Sequence, residues 1–347
     1  MSTRPKLVLL VGGGTGGHVF PLAAVVRRFR GRLGAPAFAW AGESGGLEEK
    51  VARELGVPFY PIVSGKVRRH FSWRTFFTPL RVLTGVIQSF RLLRSLRPTL
   101  VFSKGGYVSV PVALAAWFAG VPVALHESDA IPGWANRVVG RFAQRVLLNF
   151  PEASGYFSSD KVTAPGPLLS PELFEGASAP RDPKSKPVLL VLCGSQGSSR
   201  IFEALLADPS QLAPFETHVV LGTANAKFGP RFRALQGVSA YDFLPPREIG
   251  RLAARADCAV TRASSAIFEL EAFGVRMAMI PLAESANGHQ LANARAFEMK
   301  GHAVILETRL AIGLREELEA MAKFRKNSST WTLPEGPFRE IESLIAP

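Results

Sequence analysis

Short, uninterrupted apolar runs alternate along this chain with longer stretches in which apolar residues recur at helical spacing. Lys6–Val11 reads KLVLLV, a Leu- and Val-rich run that suits a strand buried on both faces. After a glycine loop, Val19, Leu22, Ala23, Val26 and Phe29 are interleaved with Arg27, Arg28 and Arg30. That spacing predicts an amphipathic helix. The same order returns in AFAWAG followed by ESGGLEEKVARELG, in TLVFSKGGYVSVPVALAAWFAG, and in VPVALHESDAIPGWANRVVGRFAQRV with RVLLNF after it. Strands alternating with helices predict an α/β fold, a parallel sheet covered on both faces.

The rhythm breaks at 151–187, a stretch rich in Pro, Ser, Gly and Ala that reads as a linker with a short strand inside. It then restarts with PVLLVLCGSQGSSRIFEALLAD and continues through HVVLGTA, CAVTRASSAIFELEAFG and RMAMIPLAESANGHQLANARAFEMKG. Two Rossmann-like, doubly wound parallel-sheet domains in series are expected, over 1–165 and 166–334. Ligands in such sheets bind beyond the carboxyl ends of the strands, here in an inter-domain cleft. The tail GPFREIESLIAP has Phe338, Ile341, Leu344 and Ile345 at helical spacing. A terminal helix over about 335–347 is expected to pack back on the first domain.

Composition narrows the class. The chain has 347 residues, 47% hydrophobic and 20% charged, which describes a globular protein with a substantial core. No apolar run is long enough to predict a membrane-spanning helix, and MSTRPKLVLLVGGG does not read as a signal peptide. Cys193 and Cys258, the only two cysteines, lie in apolar runs and are expected to be buried small hydrophobes. A disulfide scaffold is excluded, no Cys/His cluster has metal-ligand spacing, and neither metal nor cofactor is implied.

Charge adds a partner. The net charge of +13 should draw the protein to polyanions such as nucleic acid, anionic lipid or phosphorylated substrates. From Leu55 to His126 there is no Asp or Glu. Within that window, Lys66–Pro98 interleaves basic residues such as Arg68, Arg69, Arg74, Arg81, Arg91 and Arg94 with Phe71, Trp73, Phe76, Phe77, Leu83 and Ile87. Basic plus aromatic residues describe an interfacial membrane segment. Two other readings stand beside it: Leu83–Leu96 as the core face of a helix, and nucleic-acid binding, which no accompanying motif supports.

Two stretches carry candidate chemistry. VGGGTGGHVFP, Val11–Pro21, holds five glycines and ends in a histidine. Glycines let a ligand approach the backbone, and the helix that follows presents free N–H groups to an anion. Gly12, Gly14 and Gly17 also fit the dinucleotide fingerprint, but the acidic residue it requires, Glu43, sits somewhat far. In RASSAIFELEAFG, Arg262–Gly274, the small residues Ala263–Ala266 would open a helix onto a diphosphate. Glu269, about one turn inside, would accept two hydrogen bonds from a ribose diol. Gln290 and Asn293 offer amides to sugar hydroxyls, and GSQG, Gly194–Gly197, is a further close approach to the backbone.

GGTGGHVFP, FSKGGYVSVP, HESDAIPGWANR, GSQGS and RASSAIFELEAFG, in this order, resemble the MurG family over about residues 6–305. Those are bacterial UDP-N-acetylglucosamine–lipid I N-acetylglucosaminyltransferases. The resemblance implies GT-B architecture and transfer of N-acetylglucosamine, with inversion, to the muramoyl 4-hydroxyl of lipid I, giving lipid II for peptidoglycan. It places Thr15, Gly16 and Gly17 in the loop facing donor sugar and acceptor, and His18 as general base. Ser195 falls on the donor-side glycine loop and Leu244 on the uracil contact. Ser265, Ala266, Ile267, Phe268 and Glu269 match the helix start on diphosphate and ribose, and Gln290 the donor-sugar contact. Partners implied are UDP-N-acetylglucosamine, lipid I and the anionic cytoplasmic face of the cell membrane, held peripherally, with no nucleic acid.

Three positions depart from the family pattern. Asp129 stands where the family often has Asn, and its carboxylate is an alternative base. Ser170 takes the place of a basic residue expected to contact the base. RASSAIFE is one residue shorter between Arg262 and Glu269 than usual. A related GT-B transferase with another acceptor, a sugar-nucleotide epimerase and a non-catalytic UDP-sugar binder remain open at this point.

Overall fold

The computed structural model describes residues 6–65, 78–175, 177, 186–283, 285, 288–305, 307–323 and 331–345. The chain divides into two compact units, Met1–Ser170 with Pro334–Pro347, and Pro171–Leu333.

The first unit is built on strands β1 (Leu7–Gly12), β2 (Ala37–Gly42), β3 (Phe59–Pro61), β4 (Leu100–Gly105), β5 (Val123–Glu127), β6 (Arg145–Leu148) and β7 (Val162–Thr163). They form one sheet in the order β3-β2-β1-β4-β5-β6-β7, parallel at every pairing. Helices α1 (Gly16–Phe29), α2 (Leu47–Glu54), α3 (Thr78–Leu96), α4 (Ser109–Phe118) and α5 (Trp134–Phe142) fall between the strands. Val8, Leu9, Leu10 and Val11 are all 0% exposed, as a central strand covered on both faces requires. Because the chain runs outward from β1 to β3 and returns at β4, the sheet has its switch point between β1 and β4. There the ladder is irregular: Val11 pairs with Ser103 but Gly12 pairs with Gly105, leaving Lys104 as the extra residue of a bulge.

In the second unit the strands are β8 (Val188–Leu192), β9 (Glu216–Val220), β10 (Val238–Tyr241), β11 (Cys258–Thr261), β12 (Arg276–Met279) and β13 (Ala303–Val304). Their order, β10-β9-β8-β11-β12-β13, repeats the same plan, and all pairs are parallel. Its helices are α6 (Ser199–Ala207), α7 (Gly229–Arg233), α8 (Pro246–Arg255), α9 (Ala266–Ala272), α10 (His289–Glu298) and α11 (Arg315–Ala322). The switch point lies between β8 and β11. Both cysteines are buried and unpaired, and burial pushes each thiol up to about 12.

The tail helix α12 (Gly336–Ile345) belongs to the first unit. Phe338, Ile341 and Ile345 are buried, while Arg28 of α1 pairs with Glu335 at 2.9 Å. Helix α3 divides the apolar run that began at Leu83. Leu93 is buried, and Gly85 lies so close to the Val63 carbonyl oxygen that a side chain there would overlap it. Leu83 and Ile87, on the other side, are 55% and 45% exposed. A core face therefore accounts for only part of this helix. Lys66–Phe77, the basic and aromatic half of the segment, lies outside the described residues.

Candidate active site

Four loops meet at the switch point of the first sheet. The turn between β1 and α1 is Gly13–Thr15, and Gly14 adopts φ +88°, a backbone geometry that favours glycine. The buried Glu48 of α2 holds this turn: its carboxylate accepts from the amide of Gly14 at 3.1 Å and from that of Glu43 at 3.1 Å. A side chain at Gly13 or Gly46 would overlap the same carboxylate. From below, the Trp40 indole donates to the Gly12 carbonyl oxygen at 3.1 Å. A Cβ on Gly106 would come within 2.9 Å of the Gly13 carbonyl oxygen. Bare backbone here packs against backbone, which explains glycines on both loops. The Glu43 carboxylate accepts from the Ser64 hydroxyl.

His18 sits in the first turn of α1, half-buried. Its Nδ1 is 3.1 Å from the Gly13 carbonyl oxygen and 3.4 Å from Thr15 Oγ1. A carbonyl can only accept, so Nδ1 carries the proton and Nε2 carries the lone pair. Burial, and then the nearby Lys104 ammonium, pull this imidazole down to about 4, against the opposing pull of Asp129. At neutral pH His18 is therefore uncharged, with a basic nitrogen available.

Behind it stands a buried charged cluster from β4 and β5. The Lys104 ammonium donates to the Ser128 hydroxyl and, at 3.4 Å, to the His126 carbonyl oxygen. Glu127 accepts from the amide of Asp129 and from Asn136 Nδ2, each at 2.8 Å. Burial and the neighbouring Asp129 raise the Glu127 carboxyl, with Lys104 opposing. His126 is driven well below its usual value by burial. Asp129 lies at the mouth of this cluster, half-buried.

The equivalent place in the second unit is made by the loops after β8 and β11. Gly194 and Gly197 have φ of +79° and +71°, and a side chain on Gly197 would overlap the Leu221 carbonyl oxygen. Ser195 sits between them; its carbonyl oxygen accepts from the Thr223 amide at 3.0 Å. Arg262 Nε donates to the Cys193 carbonyl oxygen at 3.1 Å, tying the two loops together. The buried Ser264 hydroxyl has no hydrogen-bond partner among the described residues. Helix α9 then begins at Ala266, and the amides of Ile267 and Phe268 donate to the Ser264 and Ser265 carbonyl oxygens at 3.0 and 3.2 Å. The side chains of Ile267 and Phe268 are buried. Burial alone raises the Glu269 carboxyl to about 7.

The remaining candidates fall into two groups. Gln290 is buried and its Oε1 accepts from the Leu282 amide at 3.0 Å. Leu244 lies half-buried in the loop after β10. Asn293, by contrast, is 1% exposed and donates to the Ala263 carbonyl oxygen at 3.1 Å, bracing the loop in front of α9. Ser170, at the end of the first unit, is buried with no hydroxyl partner among the described residues. Glu48, Lys104 and Arg262 were not candidates on sequence grounds. Arg262 and Lys104 carried a signal, their places inside the quoted motifs RASSAIFELEAFG and FSKGGYVSVP.

Comparison with known proteins agrees with this division. The N-terminal domain of glycosyltransferase family 28 matches residues 8–148, and the C-terminal domain of that family matches residues 188–332. A Geobacillus kaustophilus protein named UDP-N-acetylglucosamine–N-acetylmuramyl-(pentapeptide) pyrophosphoryl-undecaprenol N-acetylglucosamine transferase is 40% identical over 311 residues, covering 87% of this chain and 85% of its own. A Clostridium botulinum protein of the same name is 34% identical over 331 residues, covering 92% and 90%. Among solved structures, Acinetobacter baumannii MurG superposes with a TM-score of 0.71 at 23% identity, over 98% of this chain and 99% of its own. A UDP-GlcNAc 2-epimerase from Neisseria meningitidis, bound to UDP-GlcNAc, reaches 0.67 at 13% identity, over 98% and 100%. These two likenesses establish the shared GT-B fold.

Proposed function

Since this chain belongs to the MurG family of glycosyltransferases, we propose that it transfers N-acetylglucosamine from UDP-N-acetylglucosamine to the muramoyl 4-hydroxyl of lipid I. The product is lipid II, a peptidoglycan precursor. The epimerase reading rests on fold alone, at 13% identity, and is not favoured.

The second unit, 166–334 in the sequence reading, takes the donor. The start of α9 at Ser265 and Ala266 and the backbone of Ser195 take the diphosphate, while Glu269 accepts from the ribose diol. Leu244 lies by the uracil and Gln290 by the donor sugar. The first unit takes the acceptor at Thr15, Gly16 and Gly17. His18 Nε2 removes the proton of the 4-hydroxyl as its oxygen attacks the anomeric carbon. The bond from that carbon to the diphosphate oxygen breaks, UDP leaves, and the centre inverts. Asp129, close to the ring, stabilises the imidazolium that forms, as charge pairs do in low-dielectric sites.

One observation carries the catalytic part: His18 Nδ1–H donates to the Gly13 carbonyl oxygen at 3.1 Å, so the nitrogen with the lone pair is Nε2. The test is acceptor dependence. UDP release that requires a lipid I analogue supports transfer; release of UDP or conversion of UDP-N-acetylglucosamine without acceptor contradicts it.

Membrane attachment is part of the same reading. No described helix is long and apolar enough to cross a membrane. The exposed Leu80, Leu83 and Ile87 of α3 lie on one helix with exposed Arg81, Arg91 and Arg94, a pairing that favours an anionic lipid surface. These residues support a protein held peripherally on the cytoplasmic face of the membrane, where lipid I is presented.

A further inference from the structure

Folding leaves Ser264 with a group unused. It lies in the loop between β11 and α9, where the turn engages both of its backbone groups. Its amide donates to the Arg262 carbonyl oxygen at 2.8 Å, and its own carbonyl oxygen accepts from the Ile267 amide at 3.0 Å. Its hydroxyl oxygen is buried with no partner among the described residues. A serine just ahead of a helix ordinarily turns that oxygen back to accept from an amide of the first turn; this one does not. Buried polar groups are as a rule hydrogen-bonded, so an exception calls for an explanation.

The surroundings suggest one. Gly194, in the loop after β8, has φ +79°. A side chain on it would meet two groups, the Ser264 hydroxyl at 3.3 Å and Arg262 Nη2 at 3.9 Å. Two donors therefore converge on one bare point of backbone. Arg262 Nε is taken by the Cys193 carbonyl oxygen at 3.1 Å, and no carboxylate pairs with the guanidinium among the described residues. A partly buried cation with no anion beside it, next to a hydroxyl with nothing to donate to, fits a negatively charged oxygen.

We propose that Ser264 Oγ donates a hydrogen bond to the diphosphate of the sugar nucleotide, beside the Arg262 guanidinium and over Gly194. The inference rests on the transferase reading above and adds a side-chain donor to the diphosphate contacts given there. It also gives Gly194 a second reason to be bare, since a side chain would fill the space the phosphate oxygen takes.

The hydroxyl holds nothing together in the protein without donor, so its loss should weaken binding and not folding. Ser264→Ala should keep or raise the midpoint of denaturant unfolding, because an unsatisfied buried group has been removed. UDP affinity, measured by calorimetry, should fall at least about fivefold, as for a lost hydrogen bond to a charged acceptor. Uridine, which carries no phosphate, should bind both proteins alike within about twofold, followed by ligand-observed NMR. A smaller loss for UDP, an equal loss for uridine, or a lowered unfolding midpoint would overturn the proposal. A wild-type protein that does not bind UDP would instead defeat the donor-site reading on which it rests.

Discussion

Nδ1 of His18 lies 3.1 Å from the carbonyl oxygen of Gly13. This single contact joins the glycine turn to the chemistry. The turn cannot be reshaped without losing the tautomer that leaves Nε2 basic, so the bare backbone and the base act as one feature.

His18→Ala should lower kcat by about 10²–10⁴-fold, the usual contribution of a positioned base, with donor KM little changed. Steady-state kinetics at saturating acceptor read this directly. In wild type the base works only when unprotonated. Since the ring is pulled down to about 4, kcat/KM should stay level from neutral pH to well below 6 and fall only towards pH 4. The same shift has a stability sign: below the ordinary value of 6.5 the unfolded chain takes up the proton first, so His18's contribution is present above pH 6.5 and is lost as pH falls towards 4.

Glu48→Ala removes an acceptor from two backbone amides, those of Gly14 and Glu43. A loss of about 2–4 kcal/mol in unfolding free energy is expected, measured by denaturant titration. Gly13→Ala should be comparably harmful, because its Cβ would overlap that carboxylate. Overpacking of this kind costs about 1–3 kcal/mol.

Glu269→Ala should raise donor KM about 10–100-fold, the worth of two hydrogen bonds to a charged acceptor, and leave kcat with saturating donor nearly intact. Burial raises this carboxyl to about 7. A ribose diol favours its charged form, so donor binding at pH 6 to 7 should release a proton. Calorimetry in buffers of differing ionisation heat would detect it, and Glu269→Ala should abolish the release. In the absence of donor the sign on stability is the reverse of a salt-bridged acid. The folded state holds its proton longer, so this residue's contribution is present below pH 4.5 and is lost as pH rises through 7.

Leu83→Glu with Ile87→Glu changes two exposed side chains, 55% and 45% accessible. Co-sedimentation with anionic vesicles should weaken by at least about tenfold, since burying one such side chain is worth about 1.5–3 kcal/mol. Turnover of a water-soluble acceptor analogue should be unchanged.

How much of this could be read from the sequence depends on locality. KLVLLV and PVLLVL are buried on both faces and announce themselves as continuous apolar runs, so the two sheets were legible. The edge strands β3, β7 and β13, of two or three residues each, have too few side chains to set a period. Helix α3 was ambiguous because its apolar residues serve two faces, one against Val63 and Pro111 and one towards solvent. The glycine turn and His18 were legible because they are contiguous. Glu48 reaches that turn from 34 residues away, and no local pattern marks it. Lys104 looked like one more basic residue in a basic window. Its significance comes from a bulge in the pairing of β1 with β4, which a single sequence does not display.

The most direct test of the account is to incubate the protein with UDP-N-acetylglucosamine and a short-chain lipid I analogue, and to determine the linkage of the isolated product by NMR. The predicted result is one N-acetylglucosamine joined to the muramoyl 4-oxygen with inverted, β, configuration, alongside one UDP. Attachment at another position, retained configuration, or tight UDP binding with no transfer would contradict it.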